Sequence, residues 1–482
     1  MSVKVKLGFV PSYRFAFTPW CANMRDESLA VLRSLEGVEV VVPEKAPEGT
    51  EACPACGTTR TGAVSGLDEG DGVADYFISQ KVDGVVLCPL DFGDERSASK
   101  IAEKLGVPVL LYATKEPPAI DNASLARVSD SYCGNLSMAS GLYRRNIPFR
   151  FAGIFFPDEE ELRHEFEVFV GAVAVVKALI GARIGQVGVR PATFETVAYD
   201  EVAMINKFQQ NVVPANISDI VAAARGFADD DPRVQALIDQ VRETHAILTV
   251  ADDYLLSEAK VELALRDFYT QNKLSATAVQ CWPSIGRDMG ISVCAMYGRL
   301  TEAEMLTACE VDVLGALAMI VNYHAGLGRI KPHFIDWTIQ HRDNPNWLLA
   351  WHCGNAPVSL AADPEKVALR SRANMTGELP VREKDPTAGL HQFQIKPGVV
   401  TFCRLQEYDD EWKMLIATGE IVPSDEDLAG TWSWVAVRDH AELYRTLVEE
   451  GFVHHASMIH GDQTEILLEV CEFLDIEPIL VL

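Results

Sequence analysis

Short apolar runs alternate with amphipathic stretches along the first third of the chain. The runs predict strands at residues 3–11, 38–43, 84–89 and 107–112, and the amphipathic stretches predict helices at 26–35, 72–80 and 97–105. This alternation is typical of a parallel sheet with helices on both faces. The segment from Gly84 to Cys88 is apolar at consecutive positions, as expected of a central strand that is buried on both sides.

The same pattern recurs after residue 160. A long helix at 161–180 precedes predicted strands at 186–189, 246–250 and 276–281 and predicted helices at 217–227, 234–244 and 256–269. From about residue 355, Pro, Gly and Thr separate short β-rich runs, which indicates a different, mainly antiparallel architecture. These runs lie at 391–395, 399–405, 413–418 and 431–437, and helices are expected at 440–450 and 463–474.

The predicted fold class is therefore α/β, with two doubly wound parallel-sheet domains and a mainly antiparallel, barrel-like C-terminal domain. We place the domains at residues 1–160, 161–354 and 355–482. A chain of 482 residues is also too long for one ordinary core, since domains usually contain about 100 to 200 residues.

Composition narrows the classes of function. The net charge of −27 repels nucleic acid phosphates and anionic lipids, so neither is an expected partner. No apolar run reaches the roughly 20 residues that a membrane span requires. The first ten residues lack the apolar centre and the cleavage site of a secretory signal, and we expect a cytoplasmic protein.

The 11 cysteines are odd in number and irregular in spacing, which favours reduced thiols over a disulfide framework. Cys53 and Cys56 form a C-x-x-C pair that could bind zinc or act in redox chemistry. No second pair stands at zinc-site spacing, so buried, reduced thiols are the simpler interpretation of this pair as well.

A carboxylate interrupts an apolar stripe near residue 310. Thr301 and Glu304 have the spacing of a capping box and predict the start of a helix there. Leu306, Glu310, Val313, Leu317 and Ile320 then follow at helical spacing. A buried carboxylate must be paired, protonated or bound to a metal; alternatively, this end of the stripe faces solvent or Glu310 pairs with an arginine. We expect Asp312 to be a surface or capping residue.

Polar residues stand out in three further β-prone segments. Asp336 lies within the run 333–339, either as a functional residue or as a strand-end residue bonded to nearby backbone. His352 ends the apolar run 347–352, at the strand end where ligands gather in α/β sheets. His454 and His455 follow Gly451, and only one of two adjacent side chains readily enters a given site.

Asp462 and Glu465 form the predicted capping box of the last helix. Each histidine, taken alone, could equally be a polar core residue. Two carboxylates and one or two imidazoles together form a ligand set that suits Mn²⁺, Mg²⁺ or Co²⁺.

Four motifs carry a resemblance to a known family. Residues 309–319, Cys-Glu-Val-Asp-Val-Leu-Gly-Ala-Leu-Ala-Met, resemble the glutamate-bearing helix of L-fucose isomerases and L-arabinose isomerases. Residues 334–338 resemble their second acidic strand, 351–353 the strand-end histidine of the arabinose group, and 451–455 their paired-histidine segment. Residues 8–11 and 24–29 resemble the fucose isomerase N-terminus more loosely.

The resemblance implies a metal-dependent aldose-ketose isomerase that acts on a monosaccharide through a cis-enediol. Glu310 and Asp336 would be metal ligands and the catalytic base and acid, with His455 as a nitrogen ligand. His352 would be a ligand or would bind a sugar hydroxyl, and His454 would face the substrate. The implied metal is Mn²⁺ or another divalent cation such as Mg²⁺ or Co²⁺.

The families that this chain resembles form trimers or hexamers in which a neighbouring subunit covers the site. Arg14, Trp20 and Arg25 are our candidates for that contribution and for substrate binding. The sugar could be a hexose, a deoxyhexose or an anionic hexose such as sulfoquinovose, whose anionic group an arginine would match. A metal-dependent epimerase or lyase on the same scaffold, or a non-catalytic sugar-binding protein, are the alternatives.

Overall fold

The computed structural model describes residues 3–116, 128–371 and 388–482. Its chain divides into two compact units. The N-terminal unit comprises residues 2–177 with 468–474, and the C-terminal unit comprises residues 178–467 with 475–482. The three-part division at residues 160 and 354 stays a prediction. No helix in the described ranges is both long and apolar enough to cross a bilayer.

A five-stranded parallel sheet forms the centre of the N-terminal unit, in the order β2-β1-β3-β4-β5. Its strands are β1 (Val5–Ser12), β2 (Val38–Val41), β3 (Gly84–Pro89), β4 (Val109–Thr114) and β5 (Arg150–Phe155). Its helices are α1 (Pro19–Ser34), α2 (Leu67–Gln80), α3 (Glu95–Leu105), α4 (Ser131–Tyr143) and α5 (Glu160–Leu179). The prediction of a doubly wound parallel sheet is confirmed, although β5 and α4 were not expected.

Continuous apolar sequence explains the central position of β3, because every residue of this strand is buried. Gly8 in β1 allows the close approach of α2. A Cβ atom at this position would lie 2.5 Å from the ring of Phe77.

The C-terminal unit begins with a second parallel sheet in the order β10-β9-β6-β7. The strands of this segment are β6 (Arg183–Val187), β7 (Asn211–Ala215), β8 (Ile247–Leu248), β9 (Ala276–Val279) and β10 (Thr307–Cys309). The helices are α6 (Glu201–Phe208), α7 (Ile217–Gly226), α8 (Pro232–Thr244), α9 (Asp252–Asn272), α10 (Ser284–Met289), α11 (Cys294–Glu302) and α12 (Val313–Ala325). Strand β8 was expected in this parallel sheet but pairs with the mixed sheet described next.

A mixed ten-stranded sheet follows, in the order β19-β16-β15-β18-β11-β12-β17-β14-β13-β8, and β16 also pairs with β17. The new strands are β11 (His333–Gln340), β12 (Trp347–His352), β13 (Ala368–Ser371), β14 (Ala388–Gln394), β15 (Gly398–Tyr408), β16 (Glu411–Val422), β17 (Thr431–Ala436), β18 (His455–His460) and β19 (Glu477–Val481). The last helices are α13 (His440–Glu449) and α14 (Thr464–Leu474). Most of its pairings are antiparallel, and α12 packs against β15 and β18.

The prediction of one helix that begins at Thr301 and carries Glu310 is wrong. Helix α11 ends at Glu302, β10 intervenes, and α12 begins at Val313. Thr301 does not cap a helix; its hydroxyl accepts from the Thr307 backbone N–H at 3.3 Å. Leu306, which precedes β10, and Val313, Leu317 and Ile320 of α12 are all apolar and buried. Their spacing imitates a single helical stripe and conceals the strand and the turn between them.

Candidate metal and catalytic site

Glu310 lies in the turn between β10 and α12, at the carboxyl ends of the parallel strands β9 and β10. Glu310 and Val311 both have left-handed backbones, with φ of 58° and 61°. A β-branched residue such as Val311 rarely adopts this conformation, and residues held in it concentrate at functional sites. The turn thus replaces the expected helix face as the element that presents Glu310.

Two neighbours fix the Glu310 carboxylate. Trp282 Nε1 donates to Glu310 Oε1 at 2.8 Å, and His455 Nε2 lies 3.1 Å from Glu310 Oε2. Burial raises the pKa of Glu310, but the hydrogen bond with His455 and the nearby His352 outweigh burial and lower it below the ordinary value. Glu310 is therefore ionised at neutral pH.

Strand register brings Asp336 to the same imidazole. Asp336 in β11 stands directly opposite His455 in β18, and opposite residues of an antiparallel pair lie on one face of the sheet. Asp336 Oδ1 lies 3.4 Å from His455 Nε2. This oxygen is buried and makes no hydrogen bond among the described residues, so the His455 imidazole is its charged neighbour in the site.

The other nitrogen of His455 is held by Asp312. His455 Nδ1 lies 2.9 Å from Asp312 Oδ2, and the same oxygen accepts from Arg404 Nη1. Asp312 Oδ1 caps α12 by accepting from the Gly315 N–H at 2.8 Å. The expectation that Asp312 caps a helix is confirmed; the alternative of a surface residue is wrong, since Asp312 is completely buried.

Charge balance at this cluster depends on the imidazole and the guanidinium. Burial raises the pKa of Asp312, but Arg404 and the hydrogen bond with His455 hold it well below its usual range. Burial lowers the pKa of His455, but its hydrogen bonds with Asp312 and Glu310 raise it to about 9. His455 in this structure is thus an imidazolium between carboxylates.

The two remaining predicted histidines differ in burial. His352, the last residue of β12, is buried, and its Nδ1 accepts from the Cys353 N–H at 2.8 Å. Its Nε2 has no partner among the described residues. His454 is exposed, and its ring centroid lies 4.1 Å from that of His455 and 5.6 Å from that of Phe194.

Two overlapping groups of side chains in the described ranges could hold a metal ion. They are Glu310 with His454 and His455, and Asp336 with His352 and His455. Within each group the ligand atoms lie within 4.8 Å of one another. Carboxylate oxygens with imidazole nitrogens suit a divalent cation such as Mn²⁺, Mg²⁺ or Co²⁺, and Asp336 Oδ1, which makes no hydrogen bond among the described residues, offers one such oxygen. The residues therefore fit a divalent metal.

A cavity of about 220 Å³ lies beside this cluster. Glu310, His352, Trp282 and Arg287 line it, together with four cysteines. Arg287, from α10, contributes the guanidinium of this lining. Its Nε donates to its neighbour Asp288 at 2.9 Å, and its side chain is 70% exposed.

Arg14, Trp20 and Arg25 lie in the N-terminal unit. Arg14 Nε donates to the Gly93 carbonyl at 2.7 Å, and its guanidinium also contacts Glu95. Arg25 Nε donates to the Gly62 carbonyl at 2.7 Å. The Trp20 indole N–H is buried and has no partner among the described residues.

The C-x-x-C pair is buried in the same unit. Cys53 and Cys56 are 1% and 8% exposed, and in the described ranges no third metal-ligating side chain joins them. The interpretation of Asp462 as a cap is supported, because Asp462 Oδ1 accepts from the Thr464 N–H at 2.9 Å.

Sequence reasoning missed the supporting residues of the site. Arg404 is a charged residue at a fully buried position of β15, and a lone arginine in an apolar run was a signal that it needed a buried partner. Asp312 could not be assigned to His455, because the two residues are 143 positions apart. Trp282 carried no sequence signal that distinguished it from a core aromatic residue.

Comparison with known proteins supports a family assignment. Residues 29–180 match the family described as "Fucose/sulfoquinovose isomerase, N-terminal domain", and residues 350–480 match "L-fucose isomerase, C-terminal domain". A sulfoquinovose isomerase of Alkalicoccus urumqiensis is 26% identical over 82% of this chain and 85% of its own length. A sulfoquinovose isomerase of Priestia aryabhattai is 24% identical over 86% of this chain and 89% of its own length.

Solved structures give a weaker likeness. A solute-binding protein of an ABC transporter from Burkholderia multivorans is 14% identical, with a TM-score of 0.18, over 67% of this chain and 94% of that chain. This TM-score is too low to support a conclusion about fold or function. The N-terminal domain of the family matches the N-terminal part of this chain, and its C-terminal domain matches the C-terminal part. The protein therefore belongs to the fucose isomerase-like family of sugar aldose-ketose isomerases.

Proposed function

We propose that this isomerase acts on a sulfonated hexose of the sulfoquinovose type, converts it to the corresponding ketose, and uses Mn²⁺ as its divalent cation. The observation that carries the proposal is the convergence of Glu310 and Asp336 on His455 Nε2, at 3.1 and 3.4 Å. Two carboxylates beside one imidazole supply both an acid-base pair and a metal ligand set. The choice of sugar follows the relatives named above, which are sulfoquinovose isomerases.

The isomerisation moves one proton between C1 and C2 of the open-chain sugar while the carbonyl shifts, and it passes through a cis-enediol. A divalent cation held by Glu310, Asp336 and His455 supplies Lewis acidity to the substrate oxygens. The protein residues then have two tasks: they transfer the proton, and they hold the sugar in register.

Glu310 and Asp336 are the proposed proton carriers. Both carboxyl groups belong to the same site. One accepts the proton from carbon, and the other donates a proton to the oxygen of the original carbonyl, which becomes a hydroxyl. The Trp282 N–H holds Glu310 Oε1, which keeps the carboxylate in one orientation. Asp336 is held by its strand, and its Oδ1, which makes no hydrogen bond among the described residues, is proposed to serve the substrate.

Asp312 is the proposed positioning residue for His455. A carboxylate on Nδ1 fixes the imidazole ring and directs Nε2 to the opposite side, the arrangement commonly found behind metal-ligating histidines. Arg404 in turn holds Asp312 and balances its charge. His455 Nε2 therefore points at Glu310 and Asp336 without the help of substrate.

His352 is proposed to donate a hydrogen bond to a sugar hydroxyl. Its Nδ1 accepts from the Cys353 N–H, so the ring hydrogen lies on Nε2. That Nε2 is buried and unpartnered among the described residues. His454, which is exposed beside Phe194, is proposed to face the substrate from the solvent side.

Arg287 is the proposed contact for the sulfonate. Its planar guanidinium matches the spacing of sulfonate oxygens, and it lines the cavity that Glu310 and His352 also line. Arg14 and Arg25 are less suited to this role, because each already binds a backbone carbonyl of its own unit. We retain Arg14, Trp20 and Arg25 as proposals for covering the site from a neighbouring subunit.

The oligomer and the compartment belong to the same proposal. A homotrimer or homohexamer in the cytoplasm would place the N-terminal unit of one copy over the site of the next. Light scattering of the purified protein tests the subunit number, and fractionation of expressing cells tests the compartment.

The decisive experiment removes metal with a chelator, restores Mn²⁺, Mg²⁺ or Co²⁺ separately, and follows ketose formation from sulfoquinovose, glucose and L-fucose. We expect turnover of sulfoquinovose to return with Mn²⁺. Glu310→Gln and Asp336→Asn should each lower kcat by roughly 10² to 10⁴, the usual contribution of a positioned acid or base. Product analysis separates isomerisation from epimerisation and chain cleavage.

Arg287→Ala tests the sulfonate contact, and Arg342→Ala is its matched control. Arg342 also pairs with the aspartate that follows it, Asp343, and its side chain is 90% exposed. Arg287→Ala should raise KM for sulfoquinovose at least tenfold with little change for an uncharged hexose. Equal effects of the two variants would contradict the assignment of Arg287.

A further inference from the structure

Four cysteines from four different elements meet in the wall of the substrate cavity. Cys281 follows β9, Cys294 begins α11, Cys309 ends β10, and Cys353 follows β12. All four line the same cavity as Glu310 and His352. The proposed isomerisation uses none of these thiols.

The four thiols are neighbours in space. The Cys309 thiol interacts with the thiols of Cys281 and Cys294, and the Cys353 thiol interacts with Cys294 and with His352. In the described ranges no three of the four sulfur atoms come close enough together to form a metal site. The arrangement therefore favours chemistry between two thiols over coordination of a metal by several.

Cys281 and Cys309 differ in access. Cys281 is partly exposed at the cavity, whereas Cys309 is 1% exposed. Their strands are neighbours in the parallel sheet, with Val279 paired to Cys309. A small reagent that enters the cavity reaches Cys281 before it reaches Cys309, and Cys309 then carries a thiol that neighbours the modified sulfur.

We propose that Cys281 and Cys309 form an oxidation site that reacts with a hydroperoxide and closes to a disulfide. In the first step the Cys281 sulfur attacks the O–O bond, which breaks, to give a sulfenic acid and the alcohol or water that leaves. In the second step the Cys309 sulfur attacks the Cys281 sulfur and releases water. Two thiols and one hydroperoxide give one disulfide, one water and one alcohol, or two waters when the oxidant is hydrogen peroxide.

The location of the disulfide predicts its effect on the enzyme. Cys281 precedes Trp282, and Cys309 precedes Glu310, so both partners of the Trp282–Glu310 hydrogen bond are next to the new bond. Closing two neighbouring thiols to a bond of about 2.05 Å pulls both backbones together. This movement displaces the Glu310 carboxylate from its position beside His455.

The test treats the reduced, metal-loaded protein with hydrogen peroxide in small excess and maps disulfides by peptide mass spectrometry. We expect a Cys281–Cys309 crosslink, at least a roughly tenfold loss of turnover, as expected of an acid-base group moved by about 1 Å, and recovery with dithiothreitol. Peptide mapping needs no substrate, so a wrong choice of sugar leaves this readout intact.

Cys281→Ser and Cys309→Ser remove either partner, and Cys133→Ser, at an exposed cysteine of α4, is the matched control. Each variant is compared with its own untreated activity. Both site variants should keep their turnover after peroxide, whereas the control should lose it as the parent does. The proposal is overturned if the crosslink joins another pair, such as Cys53 and Cys56, or if Cys281→Ser is inactivated as fast as the parent.

Discussion

Replacing Asp312 by asparagine removes one buried negative charge and keeps the shape of the side chain. In the parent, Asp312 Oδ1 caps α12 through the Gly315 N–H at 2.8 Å, and Oδ2 contacts Arg404 and His455. Asparagine retains the cap. The atom that replaces Oδ2, either an amide nitrogen or an uncharged oxygen, then faces two hydrogen-bond donors. The Arg404 guanidinium therefore loses its buried counter-charge, and the His455 imidazole loses the carboxylate that holds it.

Two separate losses follow from this geometry. Breaking a buried ion pair from one side costs about 3 to 5 kcal/mol of unfolding free energy. Removing the carboxylate behind a metal-ligating histidine typically weakens metal binding by about 10- to 100-fold, or roughly 1.4 to 2.7 kcal/mol. We therefore expect Asp312→Asn to be less stable and also, independently, to need more Mn²⁺ for half-maximal activity.

Denaturant unfolding measures the first loss, and competition with a chelator measures the second. Asp439→Asn is the matched control, because Asp439 caps α13 through the Glu442 N–H at 3.0 Å and lies outside the site. Since asparagine and aspartate are nearly equivalent N-caps, this control should change neither property appreciably. The double variant Asp312→Asn/Arg404→Met should recover stability without recovering metal affinity. Wild-type Mn²⁺ affinity in Asp312→Asn would refute the role assigned to the carboxylate.

Gly315→Ala should destabilise the protein and weaken metal binding, because the added Cβ would lie 2.5 Å from Asp312 Oδ2. This effect is opposite to the helix propensity of alanine, which is normally the better helix former. Denaturant unfolding measures the stability, and competition with a chelator measures the metal affinity. Trp282→Phe should lower kcat about tenfold by removing the donor to Glu310, as expected for a hydrogen bond to a charged group; steady-state kinetics measure it. Glu469→Gln should flatten the pH dependence of stability. Burial raises the pKa of Glu469 from 4.5 to about 8. Between these two pH values the folded parent therefore binds one proton that the unfolded chain does not bind. Its unfolding free energy should fall by roughly 3 kcal/mol as the pH rises from about 5 to about 8.

Matched variants separate these effects from general ones. Gly226→Ala, at the end of α7, places its Cβ in open space and should not destabilise. Trp434→Phe removes an indole donor to Glu426 outside the site and should leave kcat unchanged. Glu161→Gln replaces an exposed acid and should keep the parent's pH dependence. If a control matches its test variant, the corresponding reasoning is wrong.

Local sequence determined most of the secondary structure and the parallel sheets. The apolar runs that became β3 and β4 are continuous because both faces of these strands are buried. The same logic failed at residues 301–320. There, the residues of β10 and nearly all residues of α12 are buried on either side of the left-handed turn at Glu310 and Val311. A run that is buried on every side has no period that separates a strand from a helix.

The sequence by itself also determined which residues could form the site: Glu310, Asp336 and the two histidine segments each break a local pattern, and a polar group in an apolar run needs a partner. Only the tertiary structure decided what those partners are. The β11–β18 register sets Asp336 against His455, and α12 sets Asp312 between His455 and Arg404. Likewise, the four cavity thiols are separated in sequence and adjacent only in space. Such contacts depend on strand register and helix packing between distant segments, and no local pattern of residues encodes them.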